Sequence, residues 1–297
     1  MRIHGHNVLI TGGGGQLASD LDEQLRGRCD VYSPSRAELD ISDQAALEEA
    51  FNRAQPAVVF NCAAFHNLDV CEREEDRSFE VNARAVKRLA QLCADADARL
   101  VHLSTNYVFA GDRDVAYTEL DQPGPRSIYG ISKLAGEHAA LAYCPDALVV
   151  RSAGLYGRHG SASKGGNFVQ RMINRAREQG VLKVVTDQLL TPTYTADLAE
   201  ALIAGVERDV SGVLHVTNSG SCSWHEFTLA IMGFAGLDVP VERVRTVPTA
   251  DGADRPPNGV LDCGRAREIG VGDLPPWKAA LEAYMASAGL AAEPSVR

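Results

Sequence analysis

The stretch "NVLITGGGGQLASDLDEQL", residues 7–25, decides the fold. It opens with a short apolar run typical of a buried strand, and the segment from about Gln16 to Leu25 has the pattern of a helix. The four glycines between them permit a tight turn. In such a turn, backbone N–H groups and the helix N-terminus can face a pyrophosphate.

The glycine spacing is weaker evidence than the position of the glycines. The spacing is Gly12-x-x-Gly15-x-x-Ala18, which differs from the G-x-G-x-x-G form, although Gly13 and Gly14 leave that interpretation open. Ala18 stands where a third glycine commonly allows close packing between helix and sheet, and alanine is small enough for that role. A flexible turn is the alternative, and the place of the turn after the first strand argues against it.

The alternation of strand and helix continues through the first half of the chain. Further strands are predicted at "CDVYS", "AVVFNCAA", "RLVHLST" and "ALVVRSA", and helices at "AALEEAFNRA", "SFEVNARAVKRLAQLCADA" and "SKLAGEHAALAY". Continuous apolar strands between helices indicate a parallel sheet covered on both faces. The predicted fold class is therefore α/β, a Rossmann-type doubly wound parallel sheet with a smaller C-terminal substrate-binding domain.

The pattern loosens after about Ser152, where glycine and proline become frequent. Between the two loop-like stretches "LYGRHGSASKGGNF" and "VPTADGADRPPNGV" the chain has strand-like "LKVVT", helix-like "TADLAEALIAGVE" and strand-like "GVLHVTN". We expect the chain to return to the sheet there. The prediction is a cofactor-binding domain of residues 1–151 plus about 183–217, and a nucleotide-sugar domain of about 152–182 plus 218–297.

Composition excludes several classes of partner. The 297 residues carry a formal net charge of -10, which argues against nucleic acid or an anionic membrane but leaves room for an anionic small molecule. Seven scattered cysteines without a C-x-x-C pair indicate reduced thiols in a cytoplasmic protein. No apolar run is long enough for a signal peptide or a membrane span.

The end of the second strand bears on the choice of cofactor. An acidic residue there favours a free ribose 2′-hydroxyl, and an arginine favours a 2′-phosphate. In this chain "CDVYS" is followed by "PSRAELD", with Arg36 near the tip and no carboxylate directly at it. We therefore predict NADPH, with NADH as the alternative if Arg36 is merely solvated.

Three side chains suggest a carbonyl reductase. Ser104 and Thr105 end a predicted central strand, where ligands of open α/β sheets bind. Tyr129 and Lys133 are four residues apart on the next helix and so share one face. A tyrosine can give a proton to a developing alkoxide, and a nearby ammonium and the oxidised nicotinamide would lower its pKa from near 10. Lys133 can hold the nicotinamide ribose and Thr105 the substrate oxygen; an ordinary amphipathic helix is the alternative.

These motifs give the chain a family resemblance. The sequence resembles the extended short-chain dehydrogenase/reductase superfamily, and within it is similar to the dTDP-4-dehydrorhamnose reductase family over nearly the whole chain. The matching segments, in family order, are "GGGGQLA", "ELDISD", "NCAAFHNLDVCE", "STNYVFAG", "YGISKLAGE", "RSAGLYG", "GGNFVQRM", "TDQLLTPTYTADLA", "SWHEF", "RPPNGVLD" and "LPPWKAAL".

The resemblance implies roles for matching positions. The catalytic residues would be Thr105, Tyr129 and Lys133. The cofactor would contact the pyrophosphate residues Gly12, Gly15, Gln16 and Leu17, the adenine residues Asp40 and Ile41, and the strand-end residues Ala63 and Ala64. The substrate residues would be Asn106, Tyr107, Gly154, Asn167, Gln188, Pro192 and Arg255.

The resemblance also implies an activity. The family reduces the 4-keto group of dTDP-4-dehydro-L-rhamnose with NAD(P)H, and gives dTDP-L-rhamnose. The prediction is an NADPH-dependent nucleotide-sugar 4-ketoreductase that takes hydride from nicotinamide and a proton from Tyr129. Alternatives are another dTDP- or NDP-deoxysugar as substrate, and a non-catalytic NADP-binding regulatory homologue. Dehydratases of the superfamily need an Asp-Glu pair where this chain has Asn106 and Tyr107. A homodimer is left open.

Departures from the family pattern fall on the substrate side. Asn106 stands where aspartate is frequent, Gly154 where tryptophan is usual, Leu190 where glycine is common, and Phe65 where tyrosine is frequent. They predict either altered recognition of the sugar, base or stereochemistry, or drift within one specificity. Some family members bridge subunits with Mg²⁺ through glutamates; no such cluster stands out in the sequence, and no metal is predicted.

Overall fold

The computed structural model describes residues 3–159, 165–247 and 252–292. The described strands are β1 (Asn7–Thr11), β2 (Asp30–Tyr32), β3 (Val58–Asn61), β4 (Arg99–Thr105), β5 (Leu148–Ser152), β6 (Leu155–Tyr156), β7 (Leu182–Val185), β8 (Leu189–Leu190), β9 (Thr193–Tyr194), β10 (Gly212–His215), β11 (Cys222–Ser223) and β12 (Val241–Val244).

Most of the helices connect one strand to the next along the chain. They are α1 (Gln16–Leu25), α2 (Gln44–Ala54), α3 (Leu68–Arg73), α4 (Glu75–Phe79), α5 (Ala85–Asp95), α6 (Ile128–Tyr143), α7 (Phe168–Gln179), α8 (Thr195–Glu207), α9 (Trp224–Ala235), α10 (Gly264–Glu268) and α11 (Trp277–Ser287). A π-helical turn, Glu80–Arg84, joins α4 to α5, and a 3₁₀ turn, Asn106–Val108, follows β4. Among the described residues, no helix is both long and apolar enough to cross a membrane.

The central sheet has six parallel strands in the order β10-β5-β4-β3-β1-β2. One apolar cluster packs α1 and α8 on one face, and a second packs α2, α5 and α6 on the other. The strands are buried on both sides, which explains why they read as continuous apolar runs. The predicted α/β fold class with a parallel, doubly covered sheet is confirmed.

The C-terminal part of the chain builds a third apolar cluster. It contains residues of α7, α9 and α11 and the aromatic rings of Tyr156 and Tyr194, which stack on each other, with the Tyr284 ring edge-on to both. β7 pairs with β12 and contributes to this cluster, and it is not a strand of the six-stranded central sheet. The apolar run of β7 shows that it is buried but not which strand it pairs with. The division into two domains stays a prediction.

A buried ion pair joins α6 to the centre of the sheet. Glu137 of α6 accepts hydrogen bonds from Arg151 of β5, at 2.9 Å (Nε to Oε1) and 2.7 Å (Nη2 to Oε2), and from the hydroxyl of Ser104 on β4. Both charged side chains are at most 4% exposed. The Arg151 guanidinium also lies over the Phe109 ring, 5.0 Å from its centroid. The pair therefore fixes α6 relative to β4 and β5.

We expect Glu137→Ala to lower the free energy of unfolding by about 3–5 kcal/mol, because it leaves Arg151 buried without its partner. Urea denaturation followed by circular dichroism measures this change. The matched control is Glu242→Ala, which removes an exposed partner of Lys183 at 3.7 Å and should change stability by less than about 1 kcal/mol. Equal losses in the two variants would contradict the role assigned to the buried pair.

Candidate active site

The glycine loop after β1 passes between the ends of β2 and β3, which leaves no room for a side chain at Gly12 or Gly13. Gly12 has φ +78°, and a Cβ atom there would lie 2.9 Å from the backbone nitrogen of Ala63. A Cβ atom on Gly13 would overlap the backbone oxygen of Ser33. The loop therefore needs glycine for two reasons, a left-handed backbone and close approach to two neighbouring strands.

The N-terminus of α1 is suited to an anion. Gly15 precedes the helix, and within the described chain no side chain caps it and no acidic residue lies in its first turn. A Cβ atom on Gly14 would meet open space, and the Oε1 atom of Gln16 is buried with no hydrogen-bond partner among the described residues. Leu17 packs into the core, which leaves its backbone N–H for a ligand. These features fit the pyrophosphate of a dinucleotide.

Arg36 lies close to the predicted adenine residues. Its guanidinium is 3.9 Å from the Asp40 carboxylate, which also accepts a hydrogen bond from Arg77 at 3.3 Å and one from the Ser42 hydroxyl. Burial raises the pKa of Asp40, but the Ser42 hydrogen bonds and the two arginines outweigh burial and hold the pKa below its usual value. Ile41 is buried in the core beside Asp40. Arg36 is exposed and only weakly paired, so it can turn toward a phosphate.

Sequence reasoning missed Asn82, which holds the chain beyond β3. It lies in the π-helical turn Glu80–Arg84 and is fully buried. Its side chain accepts from the Phe65 backbone N–H at 2.8 Å and donates to the Phe65 carbonyl at 2.9 Å and to Ser132 of α6 at 3.0 Å. This fixes the segment after β3, in which Ala63 lies beside Gly12 of the glycine loop. The sequence signal is a lone polar residue on the apolar face of the predicted helix.

The structure brings Thr105 and Tyr129 together. Thr105 ends β4, and Tyr129 lies in the first turn of α6, which is capped by the hydroxyl of Ser127. The Thr105 hydroxyl is a hydrogen-bonding neighbour of the Tyr129 phenol that acts to lower its pKa, and it also lies 3.3 Å from Oδ1 of Asn106. The Tyr107 ring packs edge-on against Tyr129, with 5.7 Å between the ring centroids. A hydroxyl pair at the carboxyl end of the sheet can bind and protonate a carbonyl oxygen.

The pKa of Tyr129 differs from the expectation. Burial raises the pKa of the phenol, and the Thr105 hydrogen bond acts in the opposite direction. Among the described residues Thr105, rather than Lys133, is the group that lowers it. The expectation that the lysine charge sets this pKa is therefore not met within the protein's own side chains. Tyr129 is a neutral acid at physiological pH.

Lys133 is buried beneath the pair. Its Nζ donates to the Leu103 carbonyl of β4 at 2.6 Å. Burial lowers the pKa of Lys133 to about 8, and the charges of Glu137 and Cys62 act in the opposite direction. Burial also raises the pKa of the Cys62 thiol to about 12. The thiol beside the lysine is therefore neutral.

A buried polar chain reaches Lys133 from the start of the glycine loop. The Thr11 hydroxyl donates to Oδ1 of Asn61 at 2.6 Å, Nδ2 of Asn61 lies 2.9 Å from Nδ1 of His102, and Nε2 of His102 lies 3.4 Å from Lys133 Nζ. Burial holds the pKa of His102 well below its ordinary value, so the imidazole is neutral. Sequence reasoning missed Asn61 and His102; the signal was a polar residue inside two buried strands.

Part of the predicted substrate set adjoins Thr105. Asn106 donates to the Gly259 carbonyl at 3.0 Å, which joins the end of β4 to the C-terminal segment. Arg255 of that segment pairs with Asp69 of α3 at 3.2 Å. Burial raises the pKa of Tyr107, and the nearby Arg255 charge opposes this effect. Tyr107 therefore lies between Tyr129 and the arginine.

Three further residues of the predicted substrate set, Gly154, Gln188 and Pro192, lie near Leu190. Gly154 has φ +57°, and a Cβ atom there would lie 2.7 Å from Cδ1 of Leu190 and 3.1 Å from Cα of Pro192. Gln188, two residues before Leu190, donates to the Thr246 hydroxyl at 2.8 Å. Gly154 and Leu190, two of the departures from the family pattern, are thus in direct contact.

Asn167 has a different environment. It caps α7 in a capping box with Gln170, and its Nδ2 donates to the Gly157 carbonyl and to the Tyr284 hydroxyl, both at 2.7 Å. Its contacts assign it to the third apolar cluster, where it holds helix ends together. The structure therefore does not bring its amide to Tyr129, and a substrate contact for Asn167 stays a prediction.

One group of side chains has spacing suited to a metal ion. Asp20, Glu23 and His159 place one potential ligand atom each within 4.8 Å of one another. Two of the three already have partners, because Asp20 accepts from Thr195 and Glu23 pairs with Arg158. We assign no ion to this group.

Comparison with known proteins identifies the family of the chain. Residues 6–289 match the family model described as the RmlD substrate binding domain. A Mycolicibacterium smegmatis protein named dTDP-4-dehydrorhamnose reductase is 39% identical over 96% of this chain and 86% of its own. A Streptomyces niveus protein named dTDP-4-keto-6-deoxy-D-glucose reductase is 38% identical over 92% of this chain and 94% of its own.

A solved structure gives the same result. The Bacillus anthracis dTDP-4-dehydrorhamnose reductase, in complex with NADP, superimposes with a TM-score of 0.90 at 34% identity, covering 95% of this chain and 99% of its own. The family resemblance expected from the sequence motifs is confirmed. The chain therefore belongs to the dTDP-4-dehydrorhamnose reductase family, defined by the RmlD substrate-binding domain.

Proposed function

We propose that this protein is an NADPH-dependent 4-ketoreductase of a nucleotide-activated 6-deoxysugar. The observation that carries the proposal is the placement of Thr105 at the end of β4 next to Tyr129 of α6, with Lys133 one helical turn further on and bonded to the Leu103 carbonyl of β4. This trio lies at the carboxyl edge of the sheet, where the glycine loop also lies. The first candidate reaction converts dTDP-4-dehydro-L-rhamnose to dTDP-L-rhamnose.

A second sugar is kept because the relatives differ in their names. One is named for dehydrorhamnose and the other for 4-keto-6-deoxy-D-glucose, at nearly equal identity to this chain. Both names describe a 4-keto-6-deoxysugar. The 4-ketoreduction is thus common to both candidates, and the sugar is the part that experiment must decide.

The cofactor proposed is NADPH, with NADH as the weaker alternative. The uncapped helix and the glycine loop fit a pyrophosphate, and Arg36 is an exposed cation near the end of β2. The Bacillus anthracis relative binds NADP. When bound, the reduced nicotinamide supplies the hydride.

The chain's own residues handle the proton and the oxygen. The raised pKa of Tyr129 keeps the phenol protonated at neutral pH, which is the state needed to protonate an alkoxide. Thr105 can donate to the same oxygen and orient it. Lys133, with a pKa of about 8, is mostly protonated at neutral pH and can bind the ribose hydroxyls. Its charge would also favour the tyrosinate left after proton transfer.

The direct test is NADPH consumption with a panel of nucleotide 4-keto-sugars, followed by NMR of the product. We expect turnover of at least one 4-keto-6-deoxysugar and a product hydroxyl at carbon 4. Consumption with dTDP-4-dehydro-L-rhamnose would identify the first candidate. Binding of NADPH without turnover of any member of the panel would contradict the proposal and favour a non-catalytic homologue.

Tyr129→Phe should lower turnover by about 10²–10⁴-fold, because it removes the general acid, while NADPH affinity stays nearly the same. Steady-state kinetics and cofactor fluorescence measure the two quantities. Tyr143→Phe, at the exposed end of the same helix, is the control and should retain activity. Undiminished activity of Tyr129→Phe would remove the tyrosine from the mechanism.

Arg36→Ala should raise the Michaelis constant for NADPH about tenfold or more and that for NADH much less, since a charged hydrogen bond to the 2′-phosphate is lost. The control is Arg177→Ala, an exposed arginine of α7. Parallel measurements with both cofactors give the comparison. Equal increases for the two cofactors would show that Arg36 does not select the phosphate.

A further inference from the structure

The Lys133 ammonium has three N–H donors and lies beside two groups of one strand that can accept a hydrogen bond. It donates to the Leu103 carbonyl at 2.6 Å, and Nε2 of His102 lies 3.4 Å away. Both groups belong to β4. The Glu137 carboxylate, one turn further along α6, is engaged by Arg151 and Ser104 instead. If both β4 groups accept, one N–H is left to point toward the cofactor side.

His102 cannot adjust freely, because its other nitrogen is held. The imidazole is 0% exposed, and its Nδ1 bonds to the Asn61 amide at 2.9 Å. Asn61 in turn bonds to Thr11, the last residue before Gly12. The chain of polar groups thus runs from the glycine loop to the lysine.

The charge on Lys133 determines which atoms of this chain of polar groups donate a hydrogen bond and which accept one. An ammonium only donates, so Nε2 must accept and the imidazole proton must lie on Nδ1. Nδ1–H then needs the amide oxygen of Asn61 and turns the amide nitrogen toward the Thr11 hydroxyl. This is the reverse of the orientation in the structure, where Oδ1 accepts from Thr11 and Nδ2 faces Nδ1 of His102. That orientation places the proton on Nε2 and suits only a neutral amine; both orientations use the same heavy-atom distances.

The charged and titratable surroundings of Lys133 are few. His102 faces it from β4, Cys62 from the end of β3, and Glu137 from α6 itself. The thiol and the imidazole are both neutral. His102 is therefore the side chain that can accept a hydrogen bond from the ammonium.

We propose that His102 is a positioning residue for Lys133: its neutral imidazole, oriented by Asn61, accepts one ammonium N–H and so directs the remaining one toward the cofactor. This rests on the proposed function in one respect, that Lys133 binds the cofactor ribose. Without the acceptor, the buried ammonium loses a hydrogen bond and gives up its proton at lower pH.

The test compares two substitutions, each of which can replace only one of the two imidazole nitrogens. His102→Gln can place an acceptor where Nε2 lies, and His102→Asn can keep only the partner of Asn61. The readout is the pH dependence of kcat/KM and of NADPH affinity, the latter from cofactor fluorescence. Activity that needs the ammonium is present below the lysine pKa and lost as pH rises through it.

For the native protein we expect the alkaline limb near pH 8. In His102→Asn it should move about one pH unit lower, so that kcat/KM falls about tenfold at high pH and much less at pH 6. In His102→Gln the limb should stay in place, whatever the maximal rate. His138→Asn, an exposed histidine on α6, is the matched control and should cause no shift.

The same limb in His102→Asn and His102→Gln would overturn the proposal, because a packing role does not distinguish the two nitrogens. If His102→Asn does not fold, Asn61→Ala replaces it, with a smaller shift in the same direction expected and none expected if His102 is only structural. Should the native protein bind NADPH but reduce no sugar, the proposed function fails, while the pH dependence of NADPH affinity still decides the role of His102.

Discussion

A buried carboxylate needs a compensating positive charge, and in this protein that requirement determines where the candidate active site lies. Glu137 satisfies it with Arg151 and Ser104, from two neighbouring strands at once. Only one rotation and one height of α6 allow both contacts. Tyr129 and Lys133 lie earlier on the same helix, two turns and one turn before Glu137, so their positions over the sheet follow from that of the carboxylate. The requirement to pair a buried charge thereby also determines where the candidate catalytic side chains lie.

The fold was largely predictable because its signals are local. Strands buried on both faces appear as continuous apolar runs, and the glycine loop marks where the first of them ends. The pairing of β7 with β12 was not predictable, since 58 or so residues of chain separate paired positions such as Lys183 and Glu242. The same holds for the C-terminal segment that returns to Asn106 through Gly259. Sequence periodicity shows that a segment is buried but does not show its partner.

The residues of the candidate site likewise divide into those that the local sequence indicates and those that depend on contacts across the fold. Tyr129 and Lys133 could be found because their relation is one turn of one helix, and Thr105 because it ends a strand. Asn82 and His102 were missed because their function lies in what they contact across the fold. The expected influence of the lysine on the tyrosine was the least secure step. It depends on depth of burial and hydrogen-bond partners, and these exist only in the folded chain.

The contact between Gly154 and Leu190 has an evolutionary consequence. The leucine side chain fills the space that a side chain at position 154 would need, and Gly154 has a left-handed backbone that favours glycine. A bulky residue at both positions would clash, and a small residue at both would leave a void. The two departures from the family pattern are therefore two halves of one exchange, and the two positions should covary among homologues. A lineage that exchanges these two residues one at a time must pass through an intermediate that is either strained or cavity-bearing, so the two positions would change in coupled steps.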